Sequence, residues 1–145
     1  MTPSVPSICA GYWLDAREFY IAAQGLINTR TEISLPLYFL FAKSIELLLK
    51  AFLLNSGKDQ NLLQRRFGHN IYKLYLEAKA NGLDQFASFQ QREAGVLEVL
   101  TIDYLPARLA YRSPGFIYYL PPIEITEDIA KRLLSGLEYL SHTQN

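Results

Sequence analysis

From Leu35 to Leu54 the chain is apolar almost all round, broken by Lys43, Ser44, Glu46 and Lys50. Twenty such residues, at a rise of about 1.5 Å each, reach the thickness of a bilayer core. The three charges argue against insertion, because each costs about 2.5–3.5 kcal/mol near the membrane centre. No other segment resembles a span. The run is therefore read as a central helix buried by its neighbours, since a helix apolar on every side needs cover on every side. Ser34 is placed to cap it and Pro36 suits its first turn, where a missing N–H has no helical partner anyway. Gly57 is a candidate C′ residue. Lys43, Glu46 and Lys50 share one stripe, with Glu46→Lys50 in the favourable i,i+4 orientation. They are read as a solvated edge of the core helix, the alternative being a charged stripe facing a groove or partner.

Helical periodicity recurs elsewhere. Tyr12, Ala16, Phe19, Ala23, Leu26 and Ile27 mark one face of a helix from about Gly11 to Asn28. Asn70 is read as the cap of a helix bearing Ile71, Leu74, Tyr75 and Ala78, ended by Asn81-Gly82. Asp84 is read as the cap of a longer helix running past Tyr104, restarted at Pro106 and continuing to Arg112. Phe116–Leu120 and Ile123–Ile125 have the composition of a small hairpin. Thr126 is read as the cap of a last helix with Ile129, Leu133, Leu137 and Leu140 on its apolar stripe. The expected architecture is all-α, an up-and-down bundle of about five helices in one domain spanning 1–145, with its core at about 10–140.

The remaining composition narrows function without naming it. A chain of 145 residues buries roughly 70% of its unfolded surface and needs neither disulfide nor metal to fold. The single cysteine, Cys9, excludes an internal disulfide and a cysteine-rich zinc site. No basic n-region precedes an apolar run at the start, so the chain is read as cytoplasmic with no membrane association. A formal net charge of +0 argues against a surface that is basic throughout.

Charge is nevertheless uneven. Residues 58–79 carry a net +3 and residues 121–145 a net −2. Arg65, Arg66, His69 and Lys73 form the one dense basic patch, suited to phosphate contacts; the plainer reading is an ordinary solvated loop and helix start. Tyr104, Arg108, Tyr111 and Arg112 form a second group at helical spacing. Arginine beside aromatic rings stacks on bases or anchors phosphates, and the same residue types populate dimer interfaces. No Gly-rich phosphate loop, His-x-x-x-His pair, cysteine pair or nucleophile elbow is present, and no catalytic, metal or cofactor site is assigned. The two histidines, His69 and His142, stand 73 positions apart. A lone histidine before a helix reads first as a structural hydrogen-bonder.

Three stretches in order resemble the HEPN family of small helical domains. Ser44-Ile-Glu-Leu-Leu-Leu-Lys50 with its trailing Gly57 resembles the family's second helix. Gly68-His69-Asn70 is similar to its His-Asp-Leu turn, with Asn70 where Asp is usual. Tyr104 to Pro114 resembles its late helix, although Arg112-Ser-Pro114 departs from the usual Arg-Tyr-Pro. The family's ribonucleases carry an Arg-x(4–6)-His motif paired across a dimer. With Arg112 as its arginine, the histidine would fall at Ile117, Tyr118 or Tyr119. Arg65 and Arg66 precede His69 by only four and three positions, and Arg132 precedes His142 by ten. The resemblance therefore implies a member without that nuclease site: a homodimer that binds a nucleotide or RNA, with a place in a toxin–antitoxin or phage-defence system. The alternatives are a helical protein–protein interaction module with a cognate protein partner, and an unconventional ribonuclease.

Overall fold

The computed structural model describes residues 2–29, 34–112 and 114–142. It holds six α-helices: α1 (Val5–Thr29), α2 (Leu35–Asn55), α3 (Gln60–Arg66), α4 (Ile71–Ala80), α5 (Gln91–Tyr104) and α6 (Ile123–Gly136). Short 3-10 turns follow at Leu83–Gln85 and Glu138–Ser141. Among the described residues there is no strand, and the all-α bundle expected from periodicity is present.

Helix α2 is the axis. Sixteen of its residues are buried, and it packs against α1, α4, α5 and α6. Each fully buried leucine there contributes about 1.5–3 kcal/mol of apolar transfer, which explains why this segment tolerates so few polar positions. The helix ends as its sequence indicates. Gly57 adopts φ 101°, and Lys58 N–H donates to the Leu53 carbonyl at 3.0 Å, closing the orphan carbonyls of the last turn. No helix among the described residues is long and apolar enough to cross a membrane.

Polar atoms at the helix contacts find specific partners. Ser44 Oγ donates to the Ala16 carbonyl at 2.8 Å, pinning α2 to α1. Trp13 Nε1 donates to the Leu134 carbonyl at 3.1 Å, pinning α1 to α6. The inward face of α1 is carried by Cys9, Trp13, Ala16, Tyr20 and Ala23, while Tyr12, Phe19, Leu26 and Ile27 of the expected face are only partly buried. The face is rotated because Trp13 and Tyr20 offer more apolar area than the periodic count credited to them.

Several boundaries differ from expectation. α1 starts at Val5 rather than Gly11, with Pro6 accommodated in its first turn. Asp84 does not cap α5. It lies in a 3-10 turn, and the helix begins after Gln90, where Gln90 and Glu93 form a reciprocal capping box. Residues 107–112 form turns rather than a helix, entered through Ala107 at φ 64°. The expected hairpin is absent: residues 116–122 are irregular, and Ile123–Ile125 form the first turn of α6, ahead of the expected Thr126 cap. Ile123 and Ile125 pack against the core from that turn, so burial supplies what cross-strand pairing would have.

Candidate functional site

The polar centre of the molecule is Glu46. It lies on α2 with 1% of its surface exposed, inside a helix that is mostly apolar. Two of its partners come from the same helix: Lys50 Nζ donates to Oε2 at 3.1 Å and Lys43 Nζ at 3.5 Å. Two come from elsewhere. Tyr104, at the end of α5, donates its hydroxyl to Oε1 at 2.6 Å. His69 Nδ1, in the turn between α3 and α4, donates to the same oxygen at 2.8 Å. The bond to an acceptor-only carboxylate assigns the Nδ1 proton, on a side chain that is half exposed.

Local sequence explains how His69 reaches this position. Gly68 takes φ 53°, a left-handed conformation that turns the chain back toward α2. Asn70 then caps α4 by accepting from Lys73 N–H at 3.1 Å, as its place before the helix indicates. The His69 ring meets Tyr104 edge to face, with centroids 6.1 Å apart.

Burial by itself pushes the Glu46 carboxyl up. The Tyr104 hydroxyl bond, the Lys50 charge, the His69 bond and the Lys43 charge together outweigh it and hold the carboxyl below its ordinary value. Burial first, then the neighbouring carboxylate, push the Tyr104 phenol far above its usual range. Tyr104 is therefore a permanent donor. The reading of Lys43, Glu46 and Lys50 as a solvated edge is corrected for two of the three: Glu46 and Lys50 are 1% and 6% exposed, covered by His69 of the α3–α4 turn and Tyr104 of α5, while Lys43 is only partly buried.

A second buried carboxylate, Asp103, stands beside Tyr104 in sequence and is 1% exposed. Its Oδ2 accepts from Tyr119 N–H at 2.6 Å and its Oδ1 from Arg108 at 3.5 Å. The Arg108 guanidinium also lies over the Phe116 ring, 4.7 Å from its centroid. Asp103 thus ties the irregular segment after α5 back to the bundle, and Arg108 is engaged in that tie.

The residues singled out from sequence fall into two groups. Arg65, Arg66, His69 and Lys73 come from one stretch across the α3–α4 turn, and all four are exposed. Arg65 Nε donates to the Asn61 carbonyl at 3.4 Å, and Arg66 lies over the Phe67 ring at 5.4 Å. Among the described residues no carboxylate pairs with Arg65, Arg66 or Lys73, nor with Lys79, Arg92, Arg112 or Lys131, whereas Arg17, Lys43, Lys50, Lys58, Arg108 and Arg132 are paired. Arg108, Tyr111 and Arg112 belong to the other group. Tyr111 is 74% exposed, and Arg112 borders a surface concavity with Leu35, Phe116, Tyr118 and Leu120.

Sequence reasoning missed Glu46 as the hub and Asp103 as the loop anchor. The i−3 and i+4 spacing of Lys43 and Lys50 around Glu46 was the available signal for the first; no spacing pointed to the second. Among the described residues, no three His, Cys, Asp or Glu side chains gather as a metal-binding group. No family model matches the chain, and neither the curated proteins nor the solved structures hold a significant match.

Proposed function

We propose that this chain is a HEPN-like domain that binds the phosphates of a nucleotide or RNA through Arg65, Arg66, His69 and Lys73, without the family's nuclease motif. The observation that supports this reading is the grouping of Arg65, Arg66 and Lys73, three exposed cations side by side at the α3–α4 turn with no carboxylate partner among the described residues. Unpaired guanidinium groups suit bidentate phosphate contacts. His69, oriented by Glu46, adds one ring nitrogen to the same face. The reading includes assembly as a homodimer and a role in a toxin–antitoxin or phage-defence pair, both implied by the family resemblance.

Fluorescence anisotropy with a labelled single-stranded RNA, and competition by a mononucleotide, tests it. Affinity falls as salt rises, because each neutralised phosphate releases counterions. The Arg65→Ala/Arg66→Ala double variant binds more weakly, and its log–log salt slope is shallower by about 0.7 for each lost contact. Wild-type protein with no salt-sensitive binding at low ionic strength overturns the proposal.

A second reading, a protein-interaction module, is favoured by a different observation. Tyr111, Phe116, Ile117, Tyr119 and Leu120 are all exposed within one irregular stretch. Clustered exposed aromatic and aliphatic side chains are the usual content of an interface core. A mass near 16.6 kDa by light scattering, with no RNA binding, moves the weight to a heterologous protein partner.

A further inference from the structure

A recess of about 270 Å³ lies between α1, α2 and α3, and the Lys50 side chain forms part of its wall. Its polar lining comes from Tyr12 and from the amides of Gln60, Asn61 and Gln64, while Leu54 and Leu63 supply the apolar surface. Only 8% of the Lys50 side chain is exposed. An ammonium has three donors. One goes to Glu46 at 3.1 Å, and among the described residues the other two have no protein acceptor. The charge count is also uneven. Lys43 and Lys50 share the single carboxylate of Glu46, so this group of three carries one surplus positive charge. A buried cation with unused donors is costly unless something polar meets it.

Going beyond the RNA-binding reading, we propose that this recess is a binding pocket for a compact oxyanion ligand, a carboxylate or phosphate monoester, with Lys50 as its buried cation. The oxyanion accepts the two free Lys50 donors and balances the surplus charge. The side-chain amides of Asn61 and Gln64, one helical turn apart on α3, have no hydrogen-bond partner among the described residues and are placed for the polar remainder of the ligand. Gln60 is already committed, donating to the Tyr12 hydroxyl at 2.9 Å across the rim. A recess of this size suits a compact ligand.

The test is an NMR titration of the wild-type protein with inorganic phosphate and, separately, with succinate, read at the side-chain amides of Asn61 and Gln64 and at the Lys50 ammonium. Saturable shifts there with phosphate identify a phosphate monoester as the ligand class; with succinate, a carboxylate. At a hundredfold excess over Kd the same probe raises Tm by roughly 5–10 °C. Lys50→Met lowers affinity at least tenfold. Should that variant not fold, Asn61→Ala and Gln64→Ala, on exposed positions, each lower affinity severalfold. No saturable shift with either probe at tens of millimolar overturns the proposal. So do shifts confined to Arg65, Arg66 and Lys73, or undiminished binding by Lys50→Met. The Arg65→Ala/Arg66→Ala variant keeps this binding, so loss of the RNA-binding reading and loss of this pocket are separate results.

Discussion

Tyr104 donates to Glu46 Oε1 at 2.6 Å across 58 positions of sequence, joining the end of α5 to the middle of α2. That bond turns a carboxylate in an apolar helix into a fully engaged group. It also places the start of the 105–120 segment beside the basic α3–α4 turn, because the adjacent Asp103 holds Arg108 and Tyr119.

Replacing Glu46 with Gln keeps the shape and removes the charge. Lys50 then loses its Glu46 counter-ion in a buried position, and breaking one member of such a pair costs about 3–5 kcal/mol. This is a large share of the roughly 5–15 kcal/mol that holds a domain of this kind. Urea denaturation gives the value. His69→Ala, by contrast, costs about 1 kcal/mol, because the ring is half exposed and solvent replaces much of its bond.

The pH dependence follows from the lowered Glu46 carboxyl. Its folded pKa lies below the ordinary 4.5, so between the two values the unfolded chain binds the proton and the folded one does not. The stabilisation is complete above pH 4.5 and is lost as pH falls through the folded value. Midpoints measured by circular dichroism at successive pH values should drop below pH 4.5 in the wild type. They should drop less steeply in Glu46→Gln.

Tyr75 is buried, edge to face with Phe89, and its hydroxyl has no hydrogen-bond partner among the described residues. Tyr75→Phe removes an unsatisfied polar atom and leaves the ring packing in place. The variant should be as stable as wild type or more so, by up to about 1 kcal/mol. A loss of more than about 1 kcal/mol in thermal unfolding would show that the hydroxyl has a partner in solution.

Gly136, at the end of α6, lies against the loop before α5. A Cβ there would stand 2.4 Å from the Phe86 carbonyl oxygen and 3.0 Å from its carbon. Backbone cannot yield as a side-chain tip can. Gly136→Ala should therefore destabilise by about 1–3 kcal/mol, the usual cost of overpacking, despite alanine's better helix propensity. Differential scanning calorimetry reads this directly.

Helix α2, the Asn70 cap and the Gly57 stop were legible in sequence, because each depends on a few neighbouring residues. An all-round apolar run needs burial, an Asn before an apolar period satisfies an orphan N–H, and a glycine accepts φ 101°. The start of α5 was not legible. Asp84 and the Gln90–Glu93 pair both offer caps, and the choice fell to the buried side chains of Ala87 and Phe89 between them, which pack into the core as irregular chain. The hairpin expected near Phe116–Ile125 failed for the same kind of reason. Asp103 holds Tyr119 N–H and the core takes Ile123 and Ile125, so no partner strand is needed.

The candidate site divides along the same line. The cations Arg65, Arg66 and Lys73 and their grouping around His69 were determined by sequence alone, since they lie within nine consecutive residues. Only the tertiary structure decided that Glu46 is buried, that His69 and Tyr104 share one of its oxygens, and that Lys50 lines a recess. The physical reason is that a carboxylate's environment is set by what packs over it. Its four partners come from three separate stretches of chain, and the two that complete the cluster arrive from beyond any helical or turn spacing.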